Sequence, residues 1–503
     1  MPLDCFTTPV PPDYLRDESR KNGSAAAIAF PKTVQELTAA LKQTAPLDLP
    51  LTIQGARTGI AAGAVPDGGL IINLSHMDAI LGPGAGDASS PTVRVQPGVP
   101  LTVLRRHLAT AFPAHLFTPD PTETSASIGG MAACNASGAC SFAYGPTRNH
   151  IQAITVVLAD GDTLVLRRGH NKADGNRFSL TTDSGRLIAG DLPRIPMPAV
   201  KNSAGYWVKP DMDLLDLFIG SEGTLGILAE IEVCLQPKPF QTQGILCYFA
   251  DEADALTCVQ ALRAAARAAE PHTLAAIEYF DADALRLIRT STAHTGLLLP
   301  PAQPTWNVAL YVEWALSSHA ASSVELTSDI LMSCHGDPRD TWFASDAPSL
   351  DKLKAFRHAV PEQVNALIAE RKRQHPGLTK LGTDFSVPDD KLEAVMRLYR
   401  QDLSAARLEH VIFGHIGNNH LHVNILPRDM DEHRRARELC GEWARRCVAW
   451  GGTVAAEHGI GKLKTGLLDL LHGAAGVAAM RRLKALFDPA GLLNRGTLFP
   501  PGD

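Results

Sequence analysis

Apolar positions follow two different rhythms along this chain. In the first half, short apolar runs are cut by glycine and turn residues. Leu51–Gln54 and Thr92–Gln96 read as strands, the second closed by Pro97-Gly98, and Val103–Ala111 carries the spacing of a helix. Ile151–Leu166 reads as a hairpin: two apolar strands around Asp160-Gly161, a dipeptide that accepts the positive φ of a tight turn. The stretch 167–196 is polar and rich in turn residues, which predicts a long surface insertion. After Pro237-Lys238-Pro239 the rhythm changes. Strands over Gly244–Phe249, Leu274–Phe280 and Trp306–Ala315 alternate with helices over Ala253–Ala269, Ala284–Arg289 and Ser322–Ser333. This predicts a second α+β domain, an antiparallel sheet with helices on one side. Helices over Lys391–Ala405 and Glu432–Trp450 bracket a histidine-rich pair of strands, and a last helix, Ala475–Phe487, stops at Asp488-Pro489. No internal repeat is present.

At 503 residues the chain exceeds one compact core, so two or more domains are expected. A net charge of -6 without a block of like charge argues against a nucleic-acid surface or a polybasic membrane arm. No run is long and apolar enough to span a bilayer. The N-terminus, with acidic residues, prolines and no apolar core, does not read as a signal or transit peptide. A cytoplasmic place is expected, a peripheral position at a membrane being compatible with it. The nine cysteines show no zinc or cluster spacing, so an iron–sulfur centre is not expected and scattered reduced thiols are.

Two kinds of segment carry candidate chemistry. The first is glycine-rich. Gly55-Ala56-Arg57-Thr58-Gly59, then Gly63-Ala64, follows a strand, and glycines there let consecutive backbone N–H groups face one anion such as a diphosphate. The spacing is neither G-x-G-x-x-G nor the P-loop, so an ordinary turn remains open. Ser127-Ile128-Gly129-Gly130, Ala133–Gly138 and Gly220–Ile227 are small-residue runs that would admit a large flat cofactor, or simply pack strands closely.

The second is Phe413-Gly414-His415-Ile416-Gly417-Asn418-Asn419-His420-Leu421-His422-Val423-Asn424. A two-residue turn at Asn418-Asn419 would place His415 directly across from His422, with Cβ atoms about 5 Å apart and both imidazoles able to reach one ion. His420 and Asn424 would share the face of His422. Ala456-Glu457-His458-Gly459 offers a third ligand, its two polar side chains diverging if the segment is extended. Solvated or structural histidines are the competing explanation.

Taken in order, the glycine loop at 55–64, SIGGMAACNASG, YGPTRNHI, KNSAGY, FIGSEGTLGI, GHIGNNHLHVNI, EHGIGKLK and LFDPAGLLN resemble the FAD-linked oxidase family of the vanillyl-alcohol-oxidase type. Within it they resemble the branch of D-lactate, D-2-hydroxyglutarate and glycolate dehydrogenases. The resemblance implies an α+β fold: a two-subdomain FAD-binding domain, a ferredoxin-like cap domain, and C-terminal helices returning to the FAD domain. The expected divisions are an extension (1–20), the FAD-binding domain (21–239, with the insertion 167–196), a substrate or cap domain with the metal hairpin (240–460), and a helical segment (461–503) on the FAD domain.

By the same likeness, Gly55, Ala56, Arg57, Thr58, Gly59, Gly63 and Ala64 would hold the pyrophosphate. Asp120, Ser127, Ile128, Gly129, Gly130, Ala133, Asn135, Ser137, Glu222 and Ile227 would line the rest of the FAD. The loop has no histidine, so the flavin is expected to be non-covalent. His415, His422 and Glu457 map onto ligands for zinc or a similar divalent ion, and His458 onto the catalytic base. Arg357 maps onto a carboxylate-binding arginine and Asn424 onto a substrate contact. Arginine's planar fork suits a carboxylate, and a metal lowers the pKa of a bound hydroxyl. A histidine takes the proton while the Cα hydride passes to flavin N5. Arg357 could instead be a cation on a helix surface.

The chain departs from the likeness in three places. The usual hairpin is H-x-G-D-G-N-x-H, whereas Asn418-Asn419-His420 stands in its middle. Gly382 replaces a lysine that helps some relatives hold a second carboxylate, which favours D-lactate, although Lys380 lies nearby. Ala56-Arg57 replaces glycines. The rivals are D-2-hydroxyglutarate or glycolate as substrate, an oxidase using oxygen, a non-redox enzyme of the alkyl-glycerone-phosphate synthase type, and a silent FAD-binding subunit. The expected partners are a small D-2-hydroxy acid and an electron acceptor that the sequence does not identify.

Overall fold

The computed structural model describes residues 5–87, 89–267, 273–295, 306–318 and 323–500. The end of the helix expected over Ala253–Ala269, Ser322 at the start of another, and the chain ends 1–4 and 501–503 lie outside the described residues.

Two sheets form the first half. One has four strands in the order Phe6–Thr7, Ala27–Ala29, Leu70–Asn73, Leu51–Gln54, with the last three mutually parallel. The other is antiparallel: Ile80–Pro83, Thr92–Val95, Ile227–Cys234, Ile151–Val157, Thr163–Arg167. Helix Val34–Thr44 joins them, because Leu37 and Leu41 enter a core shared by Ile72 of the first sheet and Val157 and Ile227 of the second. The strands expected at 51–54, 92–96 and 151–166 fall where the apolar runs placed them.

The third sheet runs Thr341–Ala344, Gln241–Phe249, Val308–Leu316, Thr273–Phe280, His410–Gly414, His420–Ile425, Leu381–Gly382, with Phe385–Ser386 added beside His420–Ile425. Helices cover both of its faces, not one as expected. Ile245, Cys247 and Phe249 share a core with Leu256, Val259 and Leu262 of helix Glu252–Ala266. The alternate residues Leu246 and Tyr248 pack with Leu285, Ile288, Phe356 and Val360 of helices Ala282–Thr295 and Ala347–Arg371. All nine residues of Val308–Leu316 are consequently buried, the mark of a strand covered on both sides.

Helix Ala347–Arg371 was not expected as an element. Leu353, Phe356, Val360, Val364 and Ile368 trace a helical stripe, but Pro361 inside it reads as a breaker. The insertion also differs from a loose surface loop. Arg177–Thr181 and Leu187–Asp191 form an antiparallel hairpin, and Phe178 stacks on Phe487 of the last helix at 5.8 Å. That helix runs over Thr465–Phe487 with a break at Gly473, starting earlier than the apolar pattern suggested. Beyond it the chain returns to the first sheet: Leu51 N–H donates to Leu492 O at 2.8 Å, and Asn494 N–H to Leu51 O at 2.8 Å.

Candidate active site

One cavity of about 1530 Å³ runs between the three sheets. On one side the wall is backbone and small residues: Gly55, Ala56, Arg57, Thr58, Gly59, Gly63 and Ala64, then Ser127, Gly129, Gly130, Ala133, Ser137, Glu222 and Ile227. Ser127 caps helix Ile128–Cys134 by accepting from Gly130 N–H, so a helix N-terminus borders this wall. A side chain at Gly129 would collide with Pro97. Three expected wall residues stand behind it. Ile128 is core, and Asn135 ends the helix in the left-handed region and accepts from Arg148 N–H at 3.0 Å. Asp120 pairs with Arg105 at 3.0 Å and Arg357 at 3.5 Å. Arg57 lies over the ring of Tyr14, 4.2 Å from its centre.

The opposite wall carries Arg357, His415, His422, Asn424, Glu457 and His458. The hairpin that brings the histidines is not the two-residue turn expected. Phe413, not His415, opposes His422, and residues Ile416–Asn418 form a 3-10 turn, with Asn419 alone in the left-handed region. Several side chains hold this longer turn: Arg263 donates to Ile416 O and Asn419 Oδ1, and Ser386 Oγ donates to Asn418 O at 2.8 Å. His415 therefore leaves the strand and folds back over it. Gly414, at φ 117°, permits this, since a Cβ there would stand 2.6 Å from the His422 ring. The imidazoles still meet, with centres 5.4 Å apart for His415 and His422 and 4.5 Å for His420 and His422.

Glu457 joins them. Its carboxylate lies 3.4 Å from His415 Nε2, 3.2 Å from His422 Nε2 and 3.8 Å from His420 Nδ1, and it pairs with Lys201 at 2.7 Å. Ligand atoms of His415, His420, His422 and Glu457 lie within 4.8 Å of one another. Burial works to raise the Glu457 pKa, but Lys201 and the histidines hold it well below the usual range. Burial pulls His415 down, yet Glu278 at 2.7 Å and Glu457 push it up to about 9. Burial keeps His420 and His422 low.

Asp384 fixes the segment from which Glu457 and His458 project. Its carboxylate accepts from the N–H groups of Ala456, Glu457 and His458 at 3.1–3.2 Å and from Lys464 Nζ at 2.7 Å. Glu222 holds the next turn, accepting from Ile460 N–H at 2.7 Å and Gly461 N–H at 2.8 Å. Gly461 sits against Ala61 with φ 54°, and Lys462 N–H donates to Ala61 O at 2.9 Å, so this segment is laid directly on the glycine loop. Burial raises the Glu222 carboxyl to about 7. His458 faces the cavity, with Nδ1 3.4 Å from Asp384 and Nε2 3.5 Å from Glu457.

Arg357 is buried on the same wall between Asp120 and Glu278. Burial opposes its charge, and the two carboxylates more than restore it. It is therefore not a surface cation. Sequence reasoning missed Lys201, Glu278 and Asp384. Of these Glu278 left a signal, a lone carboxylate inside the apolar strand TLAAIEYF.

Comparisons with known proteins accord with this geometry. Residues 238–498, more than half the chain, match the family model "FAD linked oxidases, C-terminal domain", and residues 25–167 match "FAD binding domain". The chain belongs to the FAD-linked oxidases. This chain is 29% identical over 487 residues to the probable mitochondrial D-lactate dehydrogenase of Danio rerio, covering 96% of this chain and 86% of the relative. It is 27% identical over 492 residues to the D-2-hydroxyglutarate dehydrogenase of Stutzerimonas stutzeri, covering 94% and 91%. The solved structure of p-cresol methylhydroxylase with substrate bound superposes with a TM-score of 0.68 at 14% identity, over 98% of this chain and 93% of that one. The fold is accordingly of the vanillyl-alcohol-oxidase type, and residues 25–167 form an FAD-binding domain. Among the described residues no helix is long and apolar enough to cross a membrane.

Proposed function

We propose that this chain is an FAD-dependent dehydrogenase of small D-2-hydroxy acids, with D-lactate the favoured substrate and a divalent ion assisting. The observation that carries the proposal is the meeting, on one cavity, of a side-chain-poor wall with a buried arginine, a histidine–carboxylate cluster and a half-buried histidine.

Both absent groups fit the residues present. A cavity of about 1530 Å³ exceeds the roughly 300–1,000 Å³ of a pocket for one small ligand, leaving room for a dinucleotide beside a substrate. Gly59, with nothing within 4 Å of a Cβ position, borders open space, as a close backbone approach to a diphosphate requires. The flavin would be held non-covalently by residues 55–59, 63 and 64, with Ser127, Gly129, Gly130, Ala133, Ser137, Glu222 and Ile227 along its length. For the ion, the donor set of imidazole and carboxylate suits zinc and its neighbours, and the buried Nδ1 of His420 lacks a hydrogen-bond partner. His415, His422 and Glu457 would hold it. When bound, FAD supplies the hydride acceptor and the ion supplies a Lewis acid for the substrate oxygens.

The chain's own residues do the remainder. Arg357, 3.5 Å from Asp120 and in the field of Glu278, grips the substrate carboxylate. Asn424 donates to a substrate oxygen and fixes which face of Cα turns toward the flavin wall. His458 accepts the hydroxyl proton, its ring steadied by Asp384. Gly382 pairs with Asn424 across the sheet, and a side chain there would begin 2.8 Å from Asn424 Oδ1, so no basic group at 382 reaches the substrate. That favours a monocarboxylate. Lys380, also on the cavity lining, supports D-2-hydroxyglutarate as the second reading.

The test is anaerobic. Purified protein is mixed with D- and L-lactate, D-2-hydroxyglutarate and glycolate, before and after chelation, while the flavin absorbance is followed. Bleaching by D-lactate that chelation abolishes and a divalent ion restores is expected. Bleaching indifferent to chelation would remove the metal from the proposal, and no bleaching by any hydroxy acid would remove the substrate class.

A further inference from the structure

We propose that His420 is a fourth protein ligand, so that the ion is held by three imidazoles and one carboxylate instead of two and one. This rests on the reading of the cavity as a metal-assisted site and adds a residue to it.

His420 stands between His415 and His422 in the hairpin. The histidine is fully buried, and its Nδ1 has no hydrogen-bond partner among the described residues. It is not among the cavity-lining residues, so it has no route to a substrate proton. Its Nδ1 instead faces the carboxylate oxygen that His415 approaches: Glu457 Oε2 lies 3.8 Å from His420 Nδ1 and 3.4 Å from His415 Nε2. Donors bound to one ion at about 2.0–2.2 Å stand roughly 3–3.5 Å from their neighbours; the three imidazoles lie 3.2–3.8 Å from Glu457, and all four donors within 4.8 Å of one another, so a small inward shift closes the set.

The second ring nitrogens agree. His415 Nδ1 is 2.7 Å from Glu278, His422 Nδ1 is 3.4 Å from Thr383 O, and His420 Nε2 is 3.1 Å from Asp384 Oδ1. Each imidazole thus turns one nitrogen toward Glu457 and the other toward an oxygen acceptor, the arrangement metal-ligating histidines adopt. Four protein donors complete a tetrahedral shell. An ion that also takes a substrate oxygen would need room for a fifth ligand, which zinc and its neighbours accept.

The experiment strips metal from the flavin-containing protein, adds one equivalent of Cu²⁺, and counts coordinated imidazoles by pulsed EPR from their remote nitrogens. Three are expected in the wild type and two in His420→Asn, with Cu²⁺ affinity in the variant lowered at least ~10-fold against a competing chelator. Two imidazoles in the wild type, or the same count in both proteins, would overturn the assignment while leaving a metal-assisted dehydrogenase in place. Failure to bind one equivalent of ion would overturn this assignment and the metal in the proposed function together. The wild-type count decides the matter even if the variant does not fold.

Discussion

The two walls of the cavity are built by opposite means. The proposed cofactor wall is made mostly of backbone and small side chains, and its precision lies in what is missing. The histidine wall is made of charged and polar groups taken out of water, and its precision lies in what each one touches. Buried ions are costly unless paired, and here nearly every one is: Glu457 with Lys201, His415 with Glu278, Asp384 with Lys464. The first wall fails when volume is added, whereas the second fails when a partner is removed. Glu222 is the exception, a buried carboxylate in the wall of small residues, and it belongs functionally to both because it clamps residues 460 and 461.

Four measurements would break or sharpen this contrast. The largest effect is expected from His458→Asn, which removes the proposed proton acceptor: kcat falls about 10²–10⁴-fold while flavin and metal content stay at wild-type levels. Loss of flavin instead would mean the walls are not separable. Next, Glu278→Gln leaves His415 without its charged acceptor, and metal affinity drops about 10–100-fold with flavin content unchanged, as metal analysis and absorbance would report. On the other wall, Gly129→Val drives a side chain into Pro97. It should lower stability by about 1–3 kcal/mol and reduce bound flavin, with metal affinity retained. The last measurement concerns Glu222. Its carboxyl, raised by burial from 4.5 to about 7, binds its proton more tightly folded than unfolded, so its contribution to stability is complete below the lower value and is lost as pH rises toward the upper. Glu222→Gln should remove up to about 1.4 kcal/mol per pH unit of that slope, seen as a flatter unfolding midpoint between those values.

Much of the scaffold was legible because strands and helices here obey their own periods. The runs at 51–54, 151–166 and 274–280 needed no tertiary information, since burial of one or both faces is written into them. Helix Ala347–Arg371 was hidden by Pro361, whose helix-breaking effect its buried stripe overrides. The covered second face of the large sheet was hidden with it. In the site, the meeting of His415 with His422 was foreseen but the turn that achieves it was not, because Arg263 and Ser386, distant in sequence, stabilise a longer loop than Asn418-Asn419 would form alone. Lys201 and Asp384 are ordinary charged residues in a linear text, and only folding sets them beside Glu457.

The return of the chain end to the first sheet also bears on how the protein is made. Ile53 N–H donates to Asn494 Oδ1 at 2.7 Å, a contact spanning 441 residues, and Leu51 takes its partners from Leu492 and Asn494. Strand Leu51–Gln54 leaves the ribosome early, yet it receives its outer partner only after almost all of the chain has followed. Until then a nascent chain carries an apolar strand with an open side, a template for mispairing. Residues 492–494 are the segment that closes that side.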